Sequence, residues 1–402
     1  METKKSIAII GGGAAALMLA CHIDTDKYTV TVYERNNATG RKLLVAGDGG
    51  FNLTHSEEIE QFISRYSPSS FLEKSIRSFT NKDLQFWLKA IGIDTYTGTS
   101  KRIFPVKGTK PIDVLNAILN VLNLNDVKIK TMHTWMGWNK ENDLVFLNNN
   151  ETIPVKADIT VFALGGASWK VTGSDGSWLS YFEKMGIKTV PFQASNCAVK
   201  INWSKEFIDR AGGESLKNIS VKIAGNERKG ELVITKFGLE GGAIYAMTEQ
   251  IRKQLNEFSL ATVYIDLKPS LTVFDVLNKI KNRGNKSLNK VLEDELKFSD
   301  SKIELLKTIL TKEEYTDPDV LSDKIKNLPV IITGLAPIDE AISTVGGIPL
   351  EEVDDNFQLK KMPDHYCIGE MLDWDAPTGG YLLQACFSMA FYLAKKLNAR
   401  VI

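Results

Sequence analysis

The chain opens on a short, β-branched apolar run, Ser6–Ile10, which predicts a buried parallel strand. Three glycines follow, and then an unbroken apolar stretch predicts a helix over Ala14–Ile23. Tyr28–Tyr33 alternates as a second strand and ends at Glu34. Further on, Val127–Trp135 alternates as a strand, and Ala157–Leu164 predicts another buried one ending in Gly165-Gly166. The loop Thr172–Gly176 leads to a helix around Trp178–Met185. Near Pro191 the pattern changes. Cys197–Trp203, Ser220–Ala224, Glu231–Thr235 and Thr262–Asp266 are short runs between turn residues, predicting a small antiparallel sheet or barrel. From Thr272 the period becomes helical, with Val273, Phe274, Val276, Leu277 and Ile280 on one face. The charged, amphipathic pattern continues to about Leu328, and its Lys/Glu face reads as solvated. Strands and glycines return over Pro329–Leu350, including Ile342–Gly347. His365–Glu370 is a strand ending in Gly-acid, and Tyr381–Leu397 is a long apolar helix.

The glycines carry the first chemistry. Gly11-Gly12-Gly13-Ala14-Ala15-Ala16 is G-x-G-x-x-G with Ala in the last place. Gly11 permits the sharp turn, Gly13 lets a pyrophosphate approach the backbone, and Ala16 lets helix and strand pack closely. The helix start at Ala14 and Ala15 offers free N–H groups and partial positive charge to phosphates. Glu34 lies 23 positions beyond Gly11, where a ribose hydroxyl needs a carboxylate acceptor. That favours a nucleotide with a free 2′-hydroxyl, and the adjacent Arg35 leaves a 2′-phosphate open. The pattern does not separate FAD from NAD. The next segment suits the flavin better: a basic pair, Arg41-Lys42, then a glycine-dense loop through Gly47 and Gly50 to Asn52-Leu53-Thr54-His55. Such a segment offers a second anion contact and close backbone approach to a flat ring.

With these residues the chain resembles the BaiN-like flavoproteins, also labelled NAD(P)/FAD-dependent oxidoreductases or aminoacetone oxidase family FAD-binding enzymes. The likeness runs through almost the whole chain. It rests on Gly11–Ala16, Gly40–Leu44, Asn52-Leu53-Thr54, Ala163–Gly166, Thr172–Gly176 and Gly369–Gln384. Where much of the family has Gly-Arg-Cys-Asn, this chain has Gly49-Gly50-Phe51-Asn52, so any role of that Arg and Cys is not carried over.

The resemblance implies non-covalently bound FAD in a glutathione-reductase-like Rossmann domain, with an inserted antiparallel β-barrel domain and a helical sub-domain. The expected boundaries are 1–190 with 345–402, then 191–270 with 329–344, and 271–328. The strand end at Ala163 and Gly165 meets the ligand, as open α/β sheets do. A backbone contact near Trp135 would pass the adenine, with plain core as the competing reading of that residue. By resemblance Gly346 lies on a strand passing the flavin, and Gly241-Gly242-Ala243 is a second candidate for a roof. Gly369-Glu370 would take the ribityl chain. Gly379, Gly380 and Tyr381 start a helix whose N–H groups would face the flavin pyrimidine, where reduction builds negative charge. Lys42 and Asn52 are candidates for flavin contact rather than acid–base work. His55 reads as structural or solvated, and no catalytic side chain is nominated.

Composition narrows the partners. Lys+Arg and Asp+Glu are equal at 49 each among 402 residues, so no net field draws nucleic acid or an anionic membrane. A small-molecule substrate is expected instead. Cys21, Cys197, Cys367 and Cys386 stand far apart with four His in the chain, which argues against metal ligation and for a reducing, cytoplasmic setting. Lys4-Lys5, Ile7–Ala20 and Cys21 mimic a lipoprotein signal, but Gly11-Gly12-Gly13 would break its apolar helix. No second G-x-G-x-x-G follows a strand. NADH or NADPH stays open as an electron donor without a Rossmann domain of its own. The expected activity is hydride transfer by an FAD-dependent oxidoreductase. Two alternatives remain: an NAD-binding dehydrogenase using the single Rossmann site, and a flavin-binding protein without enzymatic activity. A flavin enzyme acting on RNA is less expected at zero net charge.

Overall fold

The computed structural model describes residues 4–45 and 50–400. It contains two units, Met1–Gln193 with Ser343–Ile402, and Ala194–Ile342. Each has its own apolar core.

In the first unit, strands β1 (Lys5–Ile10), β2 (Tyr28–Tyr33), β3 (Lys128–Lys130), β4 (Ile159–Phe162) and β5 (His365–Cys367) form one parallel sheet. The order is β5-β4-β1-β2-β3, a Rossmann-type arrangement with β1 at the centre. Ile7, Ile9 and Ile10 are almost fully buried, because a central parallel strand is covered on both faces. Helix α1 (Ala14–His22) is buried from Ala15 to Cys21. It packs against α2 (Tyr381–Asn398), the long C-terminal helix. The far ends of both helices are pinned: Asn398 accepts from the Asp24 N–H at 2.9 Å and donates to the His22 carbonyl at 2.8 Å.

The expected strand over Val127–Trp135 is two strands. Lys128–Lys130 joins the parallel sheet, whereas Thr134–Trp138 joins a separate antiparallel sheet. The break has a local cause. Met132 adopts φ +58° and donates its N–H to the Asn36 carbonyl, and His133 donates to the Glu34 carbonyl. The apolar pattern assigns nothing between His55 and Val127. Here the structure has, among other elements, helices Ser69–Ser78, Asn81–Ala90 and Pro111–Leu124.

In the second unit, seven strands form an antiparallel sheet. Its two end strands, Leu328–Ile332 and Gly334–Leu335, are consecutive pieces of one segment. The first pairs with Ala261–Asp266 and the second with Val199–Lys200, so that segment serves both edges. The run expected over Cys197–Trp203 is strand only at Val199–Lys200, since Asn196 turns at φ +51° and Ser204 caps a helix. Between Thr272 and Lys326 the chain is helical, in five helices. The expected apolar face there is narrower than the pattern suggests. Val276 and Ile280 are buried, but Val273 and Phe274, in the first turn, are exposed.

Ile9, fully buried at the centre of the parallel sheet, offers a test of the core. Ile9→Ala is expected to cost about 2–5 kcal/mol of stability. Urea unfolding followed by circular dichroism would measure it, and a loss below about 1 kcal/mol would mean β1 is not central to the cooperative unit.

Candidate functional site

Gly11 adopts φ +104°, and a Cβ there would lie 2.4 Å from the Ala163 carbonyl oxygen. The ends of β1 and β4 therefore touch only through glycine. The Gly11 N–H donates to the Tyr33 carbonyl, which holds the turn against β2. The next N–H, from Gly12, donates to Glu34 Oε2 at 2.8 Å. Glu34 Oε1 accepts from the Asn36 N–H at 2.8 Å and from its side-chain amide at 2.6 Å. The buried carboxylate is thus fixed in place, with one lone pair left on Oε2 for a hydroxyl donor. A Cβ on Gly13 would meet nothing within 4 Å, so there is room in front of α1. No side chain caps α1, which leaves its first N–H groups to a ligand. Ala16 is fully buried, as close helix–strand packing requires.

The basic residues nearby are engaged differently. Arg35 pairs with Asp175 at 3.1 Å. Burial works against the Asp175 charge, but the bonds from Arg35 and Ser177 hold its carboxyl below the usual range. Arg41 donates to Asn36 Oδ1 and to the Val171 carbonyl, both at 3.2 Å. Lys42 donates to Glu370 Oε2 at 3.0 Å and to Ser168 Oγ at 2.9 Å. The other oxygen of Glu370 accepts from the Thr344 N–H at 3.0 Å. Thr344 Oγ1 in turn accepts from the Ala167 N–H at 3.1 Å. Gly166 has no room for a Cβ, which would lie 2.0 Å from Thr344 Oγ1. Gly165, at φ +72°, lies beside Ser174, whose hydroxyl donates to the Gly166 carbonyl. Gly369, at φ +82°, would place a Cβ 3.1 Å from that of Ala15, so the N-terminal and C-terminal glycine turns are neighbours. Gly346 packs on the Pro191 backbone and donates its N–H to Asp373 at 2.9 Å.

At the start of α2, Gly379 and Gly380 adopt φ +117° and +93°. A Cβ on Gly380 would lie 2.6 Å from the Thr54 Cα, so the Asn52–His55 segment lies directly against this turn. No side chain caps α2. The Tyr381 ring stacks on His55, with centroids 5.2 Å apart, and its hydroxyl donates to Glu57 at 2.7 Å. Arg65 holds both oxygens of Glu57. Burial and the Glu57 bond push the Tyr381 hydroxyl well above its ordinary value, so it stays protonated. Burial lowers His55, which is therefore neutral near pH 7. Gly50, at φ +103°, is exposed beside the Phe104 ring, and Gly47 lies outside the described residues. The Trp135 indole is buried among Trp138, Phe162, Tyr181 and Phe182. Gly241 to Ala243 lie in the second unit, where Gly241 packs on the Glu231 carbonyl.

These groups fit a dinucleotide-type cofactor. A buried carboxylate, open space at Gly13 and an uncapped helix start form one end. A second uncapped helix start and a fixed Lys–Glu pair form the other. Among the described residues no cluster of His, Cys, Asp or Glu could hold a metal. The pattern of glycines did not point to Asn36, Ser168, Thr344, Glu57 or Arg65, whose partners are met only in the folded chain. A polar residue two places after Glu34 was the single local signal for Asn36.

Comparison with known proteins agrees with this architecture. The model of the family described as HI0933-like protein Rossmann domain matches residues 5–396. Among curated proteins, a ribosomal RNA dihydrouridine synthase of Haemophilus influenzae is 22% identical over 97% of this chain and 98% of its own length. A 3-dehydro-bile acid delta(4,6)-reductase of Clostridium scindens is 24% identical over 98% of both chains. Among solved structures, 3-ketosteroid delta1-dehydrogenase from Sterolibacterium denitrificans aligns with a TM-score of 0.50 at 12% identity, covering 98% of this chain and 100% of that one. This last likeness bears on the fold. No helix among the described residues is long and apolar enough to cross a membrane.

The Glu57 cluster gives a pH test. Burial opposes the Glu57 charge, yet Arg65 and Tyr381 hold its carboxyl below the ordinary range. A depressed carboxyl contributes stability above its unfolded pKa, and that contribution fades as the pH falls through the folded value. Glu57→Gln is expected to be less stable than wild type near neutrality, with the gap narrowing below about pH 4. Urea midpoints across that range check it, and a gap independent of pH would contradict it.

Proposed function

We propose, from the premise that this chain belongs to the HI0933-like family and is an FAD-dependent oxidoreductase, that it reduces a carbon–carbon double bond conjugated to a carbonyl in a small organic substrate, with NADH or NADPH as electron source. The observation that carries the reading is that two relatives of near-identical length are named for such bonds. A dihydrouridine arises by adding hydrogen across the uracil double bond beside a carbonyl. A delta(4,6)-reductase of a 3-dehydro substrate acts on double bonds conjugated to the 3-carbonyl. The equal numbers of acidic and basic residues favour a small molecule over RNA as substrate here.

Bound FAD would supply the hydride chemistry, and the chain supplies orientation and electrostatics. Gly11, Gly13 and the start of α1, at Ala14 and Ala15, face the pyrophosphate, while Ala16 packs the helix onto the strand. Glu34 accepts from the adenosine ribose, with the strand at Trp135 beside the adenine. Lys42 and Glu370 hold the ribityl side, next to Ala163, Gly165 and Gly369. Asn52, Gly50, Gly379 and Gly380 approach the ring. Arg35 and Arg41 brace this wall through Asp175 and Asn36. We read the second unit as a barrel with a helical sub-domain at 271–328, on its edge-sharing segment. We place the protein in the cytoplasm, on its four free cysteines.

Two measurements test the reading. The holoprotein, reduced without oxygen by NADH or NADPH, should be reoxidised by a 4-en-3-one steroid or cyclohexenone, with the saturated ketone formed in equal amount. Reoxidation by unmodified ribosomal RNA instead would transfer the substrate class to nucleic acid, and reoxidation by neither would overturn the reaction. Separately, Glu34→Gln should weaken FAD about ten- to a hundredfold, since it replaces a charged acceptor. Unchanged affinity would remove Glu34 from the cofactor site.

A further inference from the structure

The first unit contains six arginines, and five of them are committed. Arg35 pairs with Asp175, Arg41 bonds Asn36 and the Val171 carbonyl, and Arg65 grips Glu57. Arg77 pairs with Glu60 and Glu73, and Arg400 with Asp364. Arg102 is the exception: among the described residues it has no carboxylate and no hydrogen-bond acceptor. It is half-buried.

Its position is specific. Arg102 opens the strand Arg102–Pro105 and is the Cα partner of His55 across an antiparallel ladder. Such partners project on the same face, so Arg102 lies on the side where His55 meets Tyr381. Arg102 Nε is 3.5 Å from the point a Gly379 Cβ would occupy, and the Tyr381 ring is 3.4 Å from that same point. The nearby carboxylate, Glu57, already has Arg65 and the Tyr381 hydroxyl. Beneath the next glycine, Gly380, the hydroxyl of fully buried Thr54 has no hydrogen-bond partner.

We propose that Arg102 is the cation that stabilises negative charge on the pyrimidine side of the bound flavin, acting with the uncapped start of α2. This rests on the flavoprotein reading above. Two electrons and one proton entering the ring leave one negative charge spread over N1 and the C2 oxygen. Arg102 offsets that charge without gaining or losing a proton itself, because a guanidinium stays charged. It is a positioning residue, since it acts on the cofactor's charge and takes no part in bond making.

The test uses purified holoprotein and sulfite as the probe. Sulfite adds to flavin N5 and pushes an electron pair toward N1 and C2=O, bleaching the visible absorption, so its dissociation constant reports charge stabilisation without turnover. Arg102→Met is expected to raise that constant about tenfold or more, the effect of an opposite charge within about 4–6 Å. Arg102→Lys should recover most of the difference, which a purely structural role would not do. Should Arg102→Met fail to fold, Arg102→Gln and Arg102→Lys make the same comparison. Equal sulfite constants in wild type, the neutral variant and Arg102→Lys would overturn the proposal while leaving the flavoprotein reading intact. So would a flavin-loaded wild type that forms no adduct at high sulfite. A folded wild type that never takes up FAD would overturn both.

Discussion

Two helices in the first unit begin where backbone crowds against backbone, and a side chain at either point is sterically impossible. A Cβ on Gly11 would overlap the Ala163 carbonyl at 2.4 Å, and one on Gly380 would overlap the Thr54 Cα at 2.6 Å. Both glycines also hold positive φ, which L side chains resist. These contacts fix where α1 and α2 start. Because neither helix has a side-chain cap, each start presents unsatisfied N–H groups and partial positive charge. The Ala15–Gly369 contact ties the two ends of the chain together, so the N–H groups are set by packing rather than by loop flexibility.

The buried carboxylates follow from this geometry. Glu34 and Glu370 are each held through both oxygens, one by backbone N–H groups and Asn36, the other by Lys42 and Thr344. A buried carboxylate is costly unless it is saturated with donors. Lys42 and Thr344 reach Glu370 from distant segments, and Gly12 reaches Glu34 from another turn, so each acid both stabilises the fold and locates an acceptor. In each acid Oε1 already accepts two bonds, and Oε2 accepts one, so Oε2 retains a lone pair for a hydroxyl of a ribose or ribityl chain. Glu34 sits just past the end of β2, where the turn at Gly12 offers an N–H that no ladder consumes.

Much of this was legible in the sequence because its causes are local. Strand, glycines, helix and terminal acid occur within Ser6–Glu34, and the structure differs there by a residue or two. The Gly-acid at Gly369-Glu370 and the helix from Tyr381 were equally local. What could not be read depends on partners distant in sequence. Thr344 matters because Glu370 folds onto it, and Arg65 because Glu57 and Tyr381 converge. The Val127–Trp135 alternation was misleading for the same reason: bonds to Asn36 and Glu34 carbonyls split it into two sheets. Phe274 kept the helical period but lies in a first turn that no neighbour covers.

The departure from the resembling family at Gly50-Phe51 takes on a physical meaning in this setting. Phe51 is buried, and Gly50 faces the Phe104 ring two residues from Arg102. Neither Gly50 nor Phe51 can bring charge to the turn at Gly379. The strand Arg102–Pro105 can, and it does so from a rigid ladder, with Thr54 opposite Ile103 and His55 opposite Arg102. A guanidinium on a paired strand needs only its side chain ordered when an anion arrives, whereas one on a loop needs its backbone ordered as well. Charge on the strand and a glycine at Gly50 are therefore complementary. The first can hold a steady field at the ring, and the second leaves the backbone near Asn52 free to approach it closely.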